Sequence, residues 1–90
     1  MLRSVLDTNV VLAAKLSAHP QSPNAEIITR WMAGEFIWLV SDDVAFLLVT
    51  LNGAATHLVT YDEHLKDVGV FYPEFITCEP VRFLFDLRTV

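Results

Sequence analysis

Apolar residues fall along this chain in two rhythms, short continuous runs and longer stretches at helical spacing. Ser4-Val5-Leu6 is short, largely apolar and ends on the carboxylate of Asp7. After Asn9 the apolar residues from Val10 to Leu16 follow helical spacing. This predicts a buried strand handing the chain, through a tight turn, to a first helix. Ser17 to Asn24, with two prolines and several turn formers, is predicted as loop. Asn24 is placed as N-cap of a helix over Ala25–Ala33, with Ile27, Ile28 and Trp31 on one face and Gly34 ending it. Glu35 to Val40 reads as a second strand, stopped by Ser41-Asp42-Asp43. A third helix is predicted from Val44 to Leu51, capped by Asp42 or Asp43 and closed by Asn52-Gly53. A third strand, His57–Thr60, precedes a short helix over Glu63–Val68 and a loop through Gly69 and Pro73. A fourth strand, Phe75–Thr77, and a last helix, Pro80–Leu87, complete the order, with Pro80 suited to a first helical turn.

Strands alternating with helices predict an α/β fold, a three-layer α/β/α sandwich around about four parallel strands joined by right-handed crossovers. Ninety residues hold one domain. A hydrophobic content of 53% and a mean hydropathy of +0.44 are high for a domain with so much surface per volume. A homo-oligomer, or a shortened version of a larger fold, is therefore expected. No apolar run is long enough to span a bilayer, and Asp7 falls inside what would be the core of an export signal. A cytoplasmic protein without membrane contact is expected. Cys78 is the single cysteine, so no disulfide can form within the chain, and it reads as a small buried hydrophobe.

Charge narrows the chemistry. Six Lys and Arg against eleven Asp and Glu give −5 at pH 7, a balance that repels nucleic acid unless a cation or basic partner intervenes. Clustered carboxylates can reverse that local field by holding a divalent metal. Asp7 and Asp62 each follow a strand of the same parallel sheet, which brings both to one edge. Asp42 and Asp43 open the helix between them. Three such carboxylates form a hard oxygen set suited to Mg²⁺ or Mn²⁺. Helix caps and surface charges account for the same acids.

The run Val5-Leu-Asp-Thr-Asn-Val-Val-Leu12 resembles the opening motif of PIN-domain proteins, a strand ending in Asp-Thr-Asn. Further likenesses follow in order. Ser22-Pro-Asn-Ala-Glu-Ile-Ile28, Trp31 to Gly34 and Leu39-Val-Ser41 resemble the second helix and strand of that family. Asp43-Val-Ala-Phe-Leu47 through Asn52-Gly-Ala54 resembles its third acidic motif and helix. His57-Leu-Val-Thr-Tyr-Asp-Glu-His-Leu65 resembles the strand ending in Val-Thr-x-Asp, and Ile76-Thr-Cys-Glu-Pro-Val-Arg-Phe-Leu84 the closing strand and helix. The resemblance covers nearly the whole chain. It implies a metal-dependent ribonuclease, often the toxin of a toxin–antitoxin pair, with RNA as substrate and an antitoxin as partner. By that likeness Asp7, Asp43 and Asp62 would be the catalytic metal ligands. Asn9 and Thr60 would orient carboxylates or water behind them.

The chain also departs from the family. PIN domains are longer and carry a Glu on a helix after the second strand, whereas here Ser41 runs straight into Asp42-Asp43. The domain reads as internally truncated around residues 41–43. His64 stands where many relatives have a second Asp.

Other residues point elsewhere. His19, His57 and His64 share no metal-ligand spacing and read as loop, strand-edge and exposed helix histidines. Gly34, Gly53 and Gly69 sit singly, so no phosphate loop is present. Trp31 and Trp38 read as core or dimer interface, and Arg82 and Arg88 as solvated surface. Two functional alternatives accompany the ribonuclease: a catalytically impaired remnant acting as a dimerisation or interaction module, and a phospho-acceptor or phosphatase-like protein with Asp7 as nucleophile. The third lacks the second acid two residues on, and the lysine after the fourth strand, that such chemistry uses.

Overall fold

Along β1 (Arg3–Leu6) the side chains alternate between the faces of a sheet, yet Ser4, Val5 and Leu6 are all buried. A strand covered on both faces belongs in the middle. The computed structural model describes residues 1–16, 22–39 and 50–89. In it β1 pairs in parallel with β2 (Ile37–Leu39) on one side and with β3 (His57–Val59) on the other. β4 (Ile76–Cys78) pairs in parallel with β3, which gives the order β2-β1-β3-β4.

Helical segments cover both faces. Leu6 and Val59 enter one core cluster with Val10 from α1 (Thr8–Leu16), Ile27 from α2 (Pro23–Met32), and Phe83, Leu84 and Leu87 from α4 (Pro80–Arg88). Val5 and Leu58 point the other way, into a cluster with Ala55 and Phe75 that Leu65 of α3 (Glu63–Gly69) packs against. The fold is thus a three-layer α/β/α sandwich on a four-stranded parallel sheet. Strand addition runs outward from β1 in one direction to β2 and in the other to β3 and β4. The connecting helices change face with that direction, so both crossovers keep one hand. Among the described residues no helix is long and apolar enough to cross a membrane.

Element boundaries differ from the sequence expectation for local reasons. The carbonyl of Asp7 accepts from Val10 N at 2.9 Å and Val11 N at 3.3 Å, so α1 starts at Thr8, directly after the strand. Ser22, not Asn24, caps α2: its hydroxyl accepts from Ala25 N at 3.2 Å, and Pro23 takes the first helical position. α2 closes in a Schellman motif, with Gly34 N donating to Trp31 O, Glu35 N to Arg30 O, and Gly34 at φ +78°. The fourth strand is Ile76–Cys78, one residue later than its apolar run indicates, because Phe75 turns into the cluster on the α3 side. Gly69 is the last residue of α3 rather than loop, and a Cβ there would overlap Thr77 Oγ1 and Cβ on β4. Residues 50–52 are helical, in keeping with the end of the predicted third helix. Residues 40–49, with Asp42 and Asp43 and most of that helix, lie outside the described residues, as does His19.

Candidate functional site

Two neighbouring strands whose connections leave in opposite directions create a crevice at their C-terminal ends, where ligands bind in open α/β sheets. Here that point lies between β1 and β3. Asp7 and Thr60, the residues immediately after those strands, meet in it. Asp7 is 7% exposed and Thr60 fully buried.

Backbone bonds fix both groups. Asp7 N donates to Val59 O at 2.9 Å, which extends the β1–β3 ladder by one step, and Thr60 N donates to Cys78 O at 2.8 Å. The Thr60 hydroxyl donates to Asp7 Oδ2 at 2.6 Å and accepts from Asp62 N at 3.0 Å. Thr60 therefore joins the carboxylate of the first strand to the backbone of the third-strand acid. A buried carboxylate held by a neutral hydroxyl keeps an oxygen-donor character suited to a hard cation.

Asp62 itself is exposed and serves as N-cap of α3, its Oδ1 accepting from His64 N at 2.8 Å and Leu65 N at 3.4 Å. Asn9 is exposed on the first turn of α1. The third expected ligand, Asp43, lies outside the described residues. Among the described residues no three His, Cys, Asp or Glu side chains gather as a metal-holding group. The structure thus brings Asp7, Thr60 and the Asp62 backbone together at one edge, and gives the Asp62 carboxylate a capping role.

A bond at this edge escapes the sequence. Asn24, buried on α2, places Nδ2 at 3.0 Å and Oδ1 at 3.2 Å from the Tyr61 hydroxyl, tying α2 to the loop after β3. Asn24 next to a proline reads as a cap from sequence, and only the packing of α2 supplies its distant partner.

The opposite end of the sheet carries a second polar cluster. His57, 3% exposed, sets Nε2 at 2.8 Å from Asp86 Oδ2 on α4 and Nδ1 at 2.9 Å from Thr56 Oγ1. Its ring meets Phe83 edge-on, with centroids 5.1 Å apart. Burial pushes the Asp86 carboxyl up, but hydrogen bonds from His57 and Arg82 outweigh it and hold the group below its ordinary value. The strand-edge histidine of the sequence reading is therefore a core histidine anchoring α4. Arg88 reaches Glu26 of α2 at 2.6 Å, so both C-terminal arginines are engaged in ion pairs. Trp31 and Trp38 pack edge to face at 4.9 Å on the α2–β2 side, with Trp31 40% exposed.

Set against known proteins, the chain matches no family model, no curated protein and no solved structure.

Proposed function

We propose that this chain is a PIN-like metal-dependent ribonuclease, the toxin component of a toxin–antitoxin system working in the cytoplasm. The observation that carries the reading is the placement of Asp7, buried at the β1/β3 switch point and hydrogen-bonded by Thr60 at 2.6 Å. The ordered motif resemblance along the chain supports it independently. In this reading Asp7, Asp43 and Asp62 hold Mg²⁺ or Mn²⁺, with Thr60 and Asn9 behind them. Asp62 caps α3 through Oδ1, which leaves its second oxygen for a cation. Bound there, the metal would supply an activated water and stabilise charge on an RNA phosphodiester. It would also offset the charge of −5 that otherwise repels RNA.

One observation favours a second reading, a catalytically impaired PIN remnant acting as a dimerisation or interaction module. The Asp62 carboxylate accepts from His64 N and Leu65 N as the N-cap of α3, a structural role that a remnant without catalysis also needs.

Calorimetric titration of Mn²⁺ into the wild type and Asp7→Asn, followed by RNA cleavage at saturating metal, decides between them. Binding that Asp7→Asn abolishes, with cleavage, is the outcome expected of the nuclease. Binding without cleavage supports the remnant, and absence of binding in the folded protein removes the nuclease reading.

A further inference from the structure

Asn24 stands in the first turn of α2, yet the cap of that helix is Ser22. Asparagine is a poor helix former, and a buried amide is costly unless it is bonded. This one is 8% exposed and gives both its ends to a single hydroxyl 37 residues away. Nδ2 donates to the Tyr61 hydroxyl at 3.0 Å, and that hydroxyl donates to Oδ1 at 3.2 Å. Tyr61 is thus held at its far end although the residue is 41% exposed.

The residue that this tie fixes is the next one, Asp62. The carboxylate of Asp62 bonds His64 N and Leu65 N, so those bonds travel with α3 and place nothing against the sheet. Farther along, α3 leans on the β4 side, where Lys66 reaches Glu79 at 2.8 Å and Gly69 abuts Thr77. Its start is anchored by side chains of the two residues before Asp62. Thr60 binds Asp7 after β1, and Tyr61 binds Asn24 of α2. Two anchors on different elements locate the segment, and loss of either leaves it free to pivot on the other.

We infer that Asn24, acting through Tyr61, is a positioning residue that sets the Asp62 carboxylate at the β1/β3 edge. Where Asp62 is held follows from the bonds alone. What Asp62 then does there, holding a cation, rests on the metal-dependent reading above.

Two measurements on the full chain test this, amide hydrogen exchange read by NMR and Mn²⁺ titration by calorimetry. The variants are Asn24→Ala, Tyr61→Phe and the two together, with circular dichroism confirming that each is folded. Tyr61→Phe removes one oxygen from a partly exposed residue, so it carries the test if Asn24→Ala does not fold. Asp86→Asn, which breaks a bond at the opposite end of the sheet, controls for general loss of stability. Exchange at Asp62, His64 and Leu65 is expected to quicken at least about fivefold in Asn24→Ala and Tyr61→Phe, by local opening. The double variant should exchange no faster than either single one, because both remove the same tie. Mn²⁺ affinity should fall at least about tenfold in the same variants. Asp86→Asn should change neither quantity. Unchanged exchange at the three amides in the folded variants overturns the proposal, as does equal acceleration in Asp86→Asn or additive effects in the double variant. Unchanged affinity in these variants of a chain that binds Mn²⁺ overturns it too. A wild type that takes up no Mn²⁺ removes the metal-dependent reading instead, and the exchange rates then decide the positioning role by themselves.

Discussion

The Thr60 hydroxyl lies 2.6 Å from Asp7 Oδ2, across the gap between the two strands at which the sheet changes direction. It has one proton and gives it to Asp7, while its lone pair takes Asp62 N at 3.0 Å. Replacing it breaks two bonds, the buried one to Asp7 and the half-buried one from Asp62 N. Thr60→Val keeps the shape but leaves a buried carboxylate oxygen and a backbone N–H without their partner, at a cost of about 1–3 kcal/mol. Thr60→Ser retains the hydroxyl and should cost well under half as much. Urea unfolding of the three proteins measures this. Equal loss in the two variants would show that the hydroxyl contributes no more than the methyl group at this position.

Asp62 offers a way to separate a cap from a ligand. Its Oδ1 accepts two N–H groups at the start of α3. Asn caps about as well as Asp, whereas Ala does not cap at all. Asp62→Ala should therefore destabilise the protein by about 1 kcal/mol, and Asp62→Asn by only a few tenths. On the nuclease proposal Asp62→Asn should nonetheless weaken Mn²⁺ binding as strongly as Asp62→Ala. Thermal melts paired with calorimetry read the two effects separately. Unchanged Mn²⁺ affinity in Asp62→Asn would confine this residue to its capping role.

The His57–Asp86 pair gives stability a definite pH dependence. Burial works against the charge on Asp86, yet donation from His57 and Arg82 outweighs it, and the carboxyl ionises below its ordinary value of 3.8 in the folded chain. A carboxyl whose folded pKa is depressed contributes stability that is complete above the unfolded value. That contribution is lost as pH falls through the folded value. Wild type should then exceed Asp86→Asn by about 1–2 kcal/mol at neutral pH, and the difference should shrink as pH drops below 3.8. Denaturant melts from neutral pH into the acid range check this. A gap that stays constant into strong acid would mean that the charge of Asp86 contributes nothing.

Much of the architecture was legible because each strand is a short apolar run and each helix an apolar stripe, signals that depend on neighbours in sequence. The place of Asp7 at the sheet edge was legible for the same reason, since it follows directly on a strand and parallel strands end at one edge, whereas Thr60 was expected inside the third strand and was set beside the acids only by the family resemblance. Partners far along the chain were not. His57 and Asp86 are 29 residues apart, Asn24 and Tyr61 are 37 apart, and only the packing of α4 and α2 brings them together. Fine boundaries failed where backbone geometry overrode composition. Ala54, not Gly53, takes the left-handed position after the helical segment at 50–52, at φ 51°. Its amide donates to Leu51 O and that of Ala55 to Thr50 O, a Schellman closure set one residue beyond the glycine.

Gly69 closes α3 where it packs tightly against β4. A Cβ at this position would fall inside the contact distance of Thr77 Oγ1 and Cβ, and Thr77 sits on a strand whose backbone is held by β3. The overlap includes Thr77 Cβ, which no side-chain rotation can move, so the strain must go into a shift of α3 or β4. Gly69→Ala should therefore destabilise the protein by about 1–3 kcal/mol, although alanine is the better helix former by about 1 kcal/mol at an unhindered site. Thr77→Gly removes both clashing atoms, at its own cost in strand propensity. The double variant should be more stable than the sum of the two single losses predicts, since the contact that penalises the added methyl group is gone. A thermodynamic cycle from urea melts gives this coupling. Strict additivity would mean that α3 does not approach β4 at Gly69, and that the glycine is there for another reason.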